Sequence, residues 1–175
     1  MELTPAAPSV WGRLTRRTDR RPALRAFGAS AIVAIGSLVP ALHECAAPSQ
    51  QQQVVNITNQ RRAEAGVHAV RVNSALSAAA QRHSQDQANS NRMSHTGSDG
   101  SSAGTRIART GYQACGWAEN IAAGQPDAQR VMQSWMNSPD HRANILSRSY
   151  YEIGVGLAYS SGGTPYWTMV LARSC

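Results

Sequence analysis

The chain has 175 residues, which fits one domain plus an N-terminal extension. Its formal net charge is +7, from 17 basic residues against ten acids, and every basic residue is an arginine. Six of those arginines fall in the first 25 positions. Beyond Ala47, eleven arginines face seven acids and are scattered rather than striped, which argues against a nucleic-acid partner.

Residues 1–47 read as a signal peptide. An arginine-rich start leads into the apolar run Ala26 to Leu42, interrupted by Gly28, Gly36 and Pro40. That run is shorter than the roughly 20 residues of a spanning helix. Small residues place cleavage near 41–47, at Val39-Pro40-Ala41 or Cys45-Ala46-Ala47. Cleavage would leave no membrane span; the alternative is an uncleaved anchor. Export also fits the cysteines. If Cys45 leaves with the signal, Cys115 and Cys175 remain to form a disulfide in an oxidising compartment, whereas cleavage at Ala41 leaves Cys45 odd.

Residues 48–53 form a short polar linker, and 54–175 form the mature domain, about 120 residues and enough for one core. A first helix is expected over Gln51 to Ala65, with Val54, Ile57, Thr58, Arg61 and Ala65 on its stripe and Gly66 as C-cap. Asn56-Ile57-Thr58 matches a glycosylation acceptor but falls inside that helix. Ser74 is the expected cap of a second helix reaching Asn91. Leu76, Ala79, Ala80, His83 and Gln87 share one face, small enough for close approach to a sheet. On that face His83 reads as a satisfied, partly buried histidine rather than a ligand.

Ser101 or Ser102 is expected to cap a short third helix ending at Gly111. No element is assigned to the stretch around Cys115 and Glu119-Asn120. Pro126 at the first helical position opens a fourth helix, with Ala128, Val131, Met132 and Trp135 at helical spacing. Ser138-Pro139 restarts helix over Asp140 to Leu146. The period then changes. Tyr151, Ile153, Val155, Leu157 and Tyr159 alternate with Glu152, Gly154, Gly156 and Ala158, giving a strand with one large face and one bare face. A turn at Ser160 to Pro165 returns a second strand from Tyr166. Helices first and a hairpin last define an α+β layered domain.

Four motifs invite chemistry. Gly100-Ser101-Ser102-Ala103-Gly104 matches the nucleophile elbow of serine hydrolases, but polar turn formers precede it where an apolar strand is required. Cys115-Gly116-Trp117 resembles a thiol-protease neighbourhood, yet an exported Cys115 is better used in a bridge. His141-Arg142 reads as a turn fixed by side-chain hydrogen bonds. His95 and Glu119 are the main candidates. Such a pair can serve as general acid and base, as two metal ligands, or as a hydrogen bond locking two loops. Two ligands are fewer than a catalytic zinc uses, and no H-E-x-x-H spacing adds a third. Spacing alone favours the lock.

Read in order, A-Q-R-H-S (80–84), M-S-H-T-G (93–97), A-E-N-I-A-A-G (118–124), W-M-N-S-P-D-H-R-A-N-I-L (135–146), G-V-G-L-A-Y (154–159) and Y-W-T-M-V (166–170) resemble the CAP superfamily. That group holds cysteine-rich secretory proteins, venom antigen 5 and plant pathogenesis-related proteins. The S-P-x-H-R-x-N-I-L segment is similar to its bacterial branch. The resemblance implies a three-layer α-β-α sandwich with a central antiparallel sheet, and secretion. It also implies a cleft whose two His and two Glu bind a divalent metal in many eukaryotic relatives. By that match His95 and Glu119 are the first His and Glu, while Ser138 and Tyr166 occupy the other two positions, so half the metal set is absent. The implied ligands are lipids, sterol-like molecules or envelope components. The expected function is a monomeric, non-enzymatic extracellular binding module. A hydrolase or peptidase using His95 and Glu119, with or without metal, and a purely structural or interaction domain are its rivals.

Overall fold

The computed structural model describes residues 47–175, so the signal segment, its cleavage positions and Cys45 lie outside the described residues. In chain order the elements are α1 (Gln50–Glu64), β1 (Arg71–Val72), α2 (Ser74–Ser90), α3 (Ala103–Ala108), β2 (Ala114–Ala123), α4 (Ala128–Asn137), α5 (Pro139–Leu146), β3 (Glu152–Tyr159) and β4 (Pro165–Ser174). Among the described residues no helix is long and apolar enough to cross a membrane.

The strands form one sheet in the order β1-β3-β4-β2. β3, β4 and β2 are antiparallel, while the two-residue β1 runs parallel to β3, so the sheet is mixed rather than purely antiparallel. The β3–β4 hairpin was legible from its alternation. β2 was not, because Ala118-Glu119-Asn120-Ile121-Ala122 is buried on both faces and lacks period-two contrast.

Alternation along the sheet sorts the core into two layers. On one face Ile153, Val155 and Leu157 of β3 and Trp167, Met169 and Leu171 of β4 pack with Val54 and Ile57 of α1, Val131 and Trp135 of α4, and Ile145 of α5. On the other face Val170 and Ala172 meet Leu76, Ala79 and Ala80 of α2 and Ile107 of α3. Each large apolar side chain so buried contributes about 1.5–3 kcal/mol. The result is an α-β-α sandwich.

The bare face of β3 explains how closely α2 sits. A Cβ on Gly154 would lie 2.1 Å from the Leu76 carbonyl carbon, and one on Gly156 would lie 2.4 Å from that of Ala80. Helix and strand backbones therefore touch, as the small α2 face anticipated. Gln81 clamps the contact, its amide donating to Leu157 O (2.8 Å) and accepting from Leu157 N (3.1 Å).

The helix starts differ from expectation by a residue or two. Asn73, not Ser74, caps α2 by accepting from Ala75 N and Leu76 N. Asp127 caps α4 by accepting from Arg130 N, which leaves Pro126 just outside the helix. Asn and Asp both accept strongly at this position, so local sequence alone chose poorly among neighbours. Thr58 of the Asn56-Ile57-Thr58 triplet is buried in α1, with its hydroxyl on Met132 Sδ.

Two further ties close the fold. The buried Arg62 guanidinium donates to the carbonyls of His68, Ile145, Ser147 and Tyr150, joining α1 to the chain beyond α5. Cys115 and Cys175 form a disulfide with Cα atoms 4.9 Å apart, fastening the C-terminus to the start of β2.

Candidate functional site: the His95–Glu119 cluster

Glu119 sits on β2 opposite Val170 of β4, so its side chain shares Val170's face and points toward α2. That placement buries its carboxylate to 2% exposure. A lone carboxylate there would be costly; His95 and Arg106 compensate it, and His83 stands nearby. His95 Nδ1 is 2.8 Å from Oε1, Arg106 Nη2 is 2.7 Å from Oε2, and His83 Nε2 is 3.9 Å from Oε1.

Arg106, on α3, organises the group. Besides Glu119 it donates to Ser101 O (2.8 Å) and His95 O (3.1 Å). It thus fixes the Met93–Gly97 turn by main chain while Glu119 fixes it by side chain. Gln87 on α2 supports the same turn by accepting from Ser94 N, and its amide donates to Thr168 on β4. The His95 ring remains 59% exposed. In the tautomer that donates Nδ1–H to Glu119, Nε2 is the ring's remaining acceptor.

The opposite wall comes from α5. Asn120, the β2 neighbour of Glu119 on the other sheet face, donates to His141 O (3.0 Å) and accepts from Asn144 Nδ2 (2.9 Å). This anchors His141 close to His95. Burial pushes the His141 imidazole below its ordinary value, and proximity to His95 lowers it further. The expected structural role of the His141 turn thus has a named mechanism, the Asn120–Asn144 bridge.

Ser138 and Tyr166 are not hydrogen-bonded to the pair among the described residues. Ser138 is half-buried at the junction of α4 and α5. Tyr166 is buried with Ala88 and Ala158, at a register position four residues from Val170, about 13 Å along the strand. Sheet register therefore separates it from Glu119, and the histidine near His95 on this side is His141. Ser102 caps α3, its Oγ accepting from Thr105 N, so the G-x-S-x-G match is a helix start.

Glu119 is poorly placed to be a metal ligand. Both Glu119 oxygens already accept charge-assisted bonds, and the Arg106 cation lies against one of them. His95 Nδ1 is held as a donor to Glu119 Oε1, so Nε2 is the one ring nitrogen His95 could offer a metal. Among the described residues no group of three or more His, Cys, Asp and Glu is arranged to hold a metal ion.

A second feature lies in the helical layer on the other face of the sheet. Between α1 and the α4–α5 pair runs a groove of about 640 Å³. Ile57, Met132, Met136 and Leu146 supply its apolar lining, and Arg61, Arg130 and Arg142 stand among its polar residues. Arg61 is paired with Glu64. Sequence reading missed this groove because its residues come from three helices whose packing was unknown. Arg106 was missed because nothing in a thirteen-residue separation from Glu119 signals a contact.

A cluster of this build on an α-β-α sandwich defines a class. Residues 55–171 match CAP, the cysteine-rich secretory protein family, and the chain belongs to that family. It is 35% identical over 120 residues to the uncharacterized protein YkwD of Bacillus subtilis (strain 168), covering 67% of this chain and 45% of that protein. Among solved structures it is similar to an extracellular protein containing a SCP domain from Bacillus anthracis str. Ames. That match has 26% identity and a TM-score of 0.64, covering 71% of this chain and 40% of the other. An outer surface protein from Borrelia burgdorferi shares the fold, with TM-score 0.67 and 16% identity over 72% of this chain and 93% of that one. The chain spans less than half the length of the curated relatives it matches.

Proposed function

We propose that this domain works outside the cell as a non-enzymatic binding module for an amphiphilic, envelope-derived ligand held in the α1–α4 groove. The observation that carries this reading is the groove itself. It joins an apolar lining to Arg130 and Arg142, which have no ion-pair partner among the described residues. An alkyl chain over the half-buried Met136 and Leu146 with an anionic head beside those arginines matches both parts. The exported setting is supported by the disulfide and by relatives that are themselves an extracellular protein and a cysteine-rich secretory protein. The occupied state of Glu119 supports the non-enzymatic half, since a carboxylate holding both Arg106 and His95 is a lock before it is a base.

Lipid extraction of the purified protein, followed by mass spectrometry, tests this. A fatty acid or acidic lipid should co-purify and be lost when Met136→Trp fills the groove. A clean protein that also fails to bind across a broad lipid panel would sink the proposal.

The geometry of His95 favours a second reading, hydrolysis. A histidine with Nδ1 on a buried carboxylate and Nε2 exposed has the orientation of a general base. No hydroxyl or thiol is hydrogen-bonded to its ring among the described residues, so the nucleophile would be water. Peptide or ester cleavage that disappears in His95→Ala would establish this reading over the first.

A further inference from the structure

The outer edge of β2 passes through the His95–Glu119 cluster. In an antiparallel ladder, residues alternate between turning their main-chain groups to the partner strand and turning them away. Gly124, next along the ladder from the Ala123–Tyr166 pair, donates its N–H to Pro165 O (2.9 Å). By that parity Ala118, Asn120 and Ala122 bond to β4, whereas Trp117, Glu119 and Ile121 turn N–H and C=O to the open edge of the sheet. Two of those outward carbonyls are in use. Trp117 O accepts from the Tyr150 hydroxyl (3.2 Å), and Ile121 O accepts from the Trp135 indole N–H (3.1 Å). Between them, the main-chain N–H and C=O of Glu119 have no partner among the described residues.

These groups can be reached. Glu119 keeps 7% exposure as a whole residue against 2% for its side chain, so the surface it offers is mostly main chain. Unpaired edge groups are a template for another strand, and proteins normally block them. Here Tyr150 and Trp135 block the flanks and leave a window one residue pair wide. The face that Glu119 shares with Trp117 is also open, since the His95 ring is 59% exposed and Trp117 43%. Gly104 backs the indole, because a Cβ there would lie 3.1 Å from Nε1 and Cζ2. Trp117 is thus held in place without being covered.

We infer that this window binds a short extended peptide, about three residues long, by antiparallel strand addition. Its central residue donates N–H to Glu119 O and accepts from Glu119 N–H. Directly paired side chains share one face, so the central side chain lies toward His95, with Trp117 as its diagonal neighbour. An apolar body ending in a hydrogen-bond donor, as in tyrosine, matches the indole and the His95 Nε2 acceptor. A longer strand, including the sheet edge of a second copy, runs into Tyr150 and Trp135. A glycan lacks the N–H and C=O of one residue at the spacing Glu119 presents. The site is separate from the α1–α4 groove and stands or falls independently of it.

The test is titration of the protein with N-acetyl-alanyl-tyrosyl-alaninamide, read on the Glu119 main-chain amide by proton–nitrogen NMR. The comparisons are the same peptide with an ester oxygen in place of the tyrosyl N–H, and chitotriose. The tripeptide should saturate and shift the Glu119 amide as it gains a hydrogen bond. The ester, which cannot donate to Glu119 O, should bind about tenfold more weakly, a comparison that leaves the protein unaltered. Trp117→Ala should weaken tripeptide binding about as much while fatty-acid binding in the α1–α4 groove stays unchanged. The inference is overturned if the tripeptide leaves the Glu119 amide unmoved, or if the ester binds as tightly as the amide. It is equally overturned if chitotriose shifts that amide and the tripeptide does not.

Discussion

The Arg106 guanidinium donates to Glu119 Oε2 at 2.7 Å, and both side chains are buried, at 9% and 2% exposure. Such a pair is weak evidence of net stabilisation, because desolvation offsets attraction, but removing one partner strands the other charge. Arg106→Ala should therefore destabilise the domain by about 3–5 kcal/mol. Urea unfolding should show this as a lower midpoint at unchanged slope. The double variant Arg106→Met, Glu119→Gln should recover much of the loss, since no unpaired charge remains.

Gly154 and Gly156 make a second prediction. Alanine at either position puts a Cβ within 2.4 Å of α2 backbone, which cannot swing aside as a side chain would. Each substitution should cost about 3 kcal/mol or more, at the upper end of overpacking effects. Gly162→Ala is the control, because its nearest neighbour is Ser160 Oγ at 3.8 Å. Its melting temperature should match wild type. Equal effects at all three sites would contradict the close α2–β3 contact.

The Cys115–Cys175 bridge closes a 60-residue separation. Constraining a loop of that size contributes about 4 kcal/mol in the chain-entropy treatment. Cys115→Ala, Cys175→Ala should lower thermal stability by a corresponding amount, and reductant should do the same to wild type while leaving the variant unaffected.

Acid should act in two steps. Burial lowers the pKa of both His83 and His141 in the folded state. The unfolded chain then binds protons that the fold resists, so their stabilising effect is complete above about pH 6.5 and is lost as pH falls below it. Glu152 is held below its ordinary value by the Tyr112 hydroxyl and, beyond burial's opposing push, by Asn73. Its contribution is lost only at lower pH, below about 4.5. Melting curves should therefore decline between about pH 7 and 5 and again below it, and His83→Gln should flatten the first decline alone.

Much of this architecture was legible because hydrophobic period and ordered motifs agreed. The α2 and α4 stripes bury the face they display, as do Ile153, Val155 and Leu157 of β3, whereas Arg61 and Ala65 of the α1 stripe and Tyr151 and Tyr159 of the β3 alternation stay at the surface. β2 escaped because a strand buried on both faces and built from Ala, Glu and Asn has neither alternation nor propensity to announce it. The His95–Glu119 contact could be anticipated from residue type within matching motifs. Arg106, Asn120 and the outward main chain of Glu119 could not, because they depend on which turns the sheet register brings together. Tyr166 shows the same limit from the other side. A four-residue register offset, invisible in a motif, places it about 13 Å along β4 from Val170, the residue opposite Glu119.

The central claim is that ligand binding resides in the α1–α4 groove rather than at His95, and displacement titration with a fluorescent fatty acid tests it most directly. Wild type should bind saturably, Met136→Trp and the pair Arg130→Ala, Arg142→Ala should each bind about tenfold or more weakly, and His95→Ala should be unchanged. Absence of saturable binding, or loss of binding in His95→Ala with retention in Met136→Trp, would contradict it.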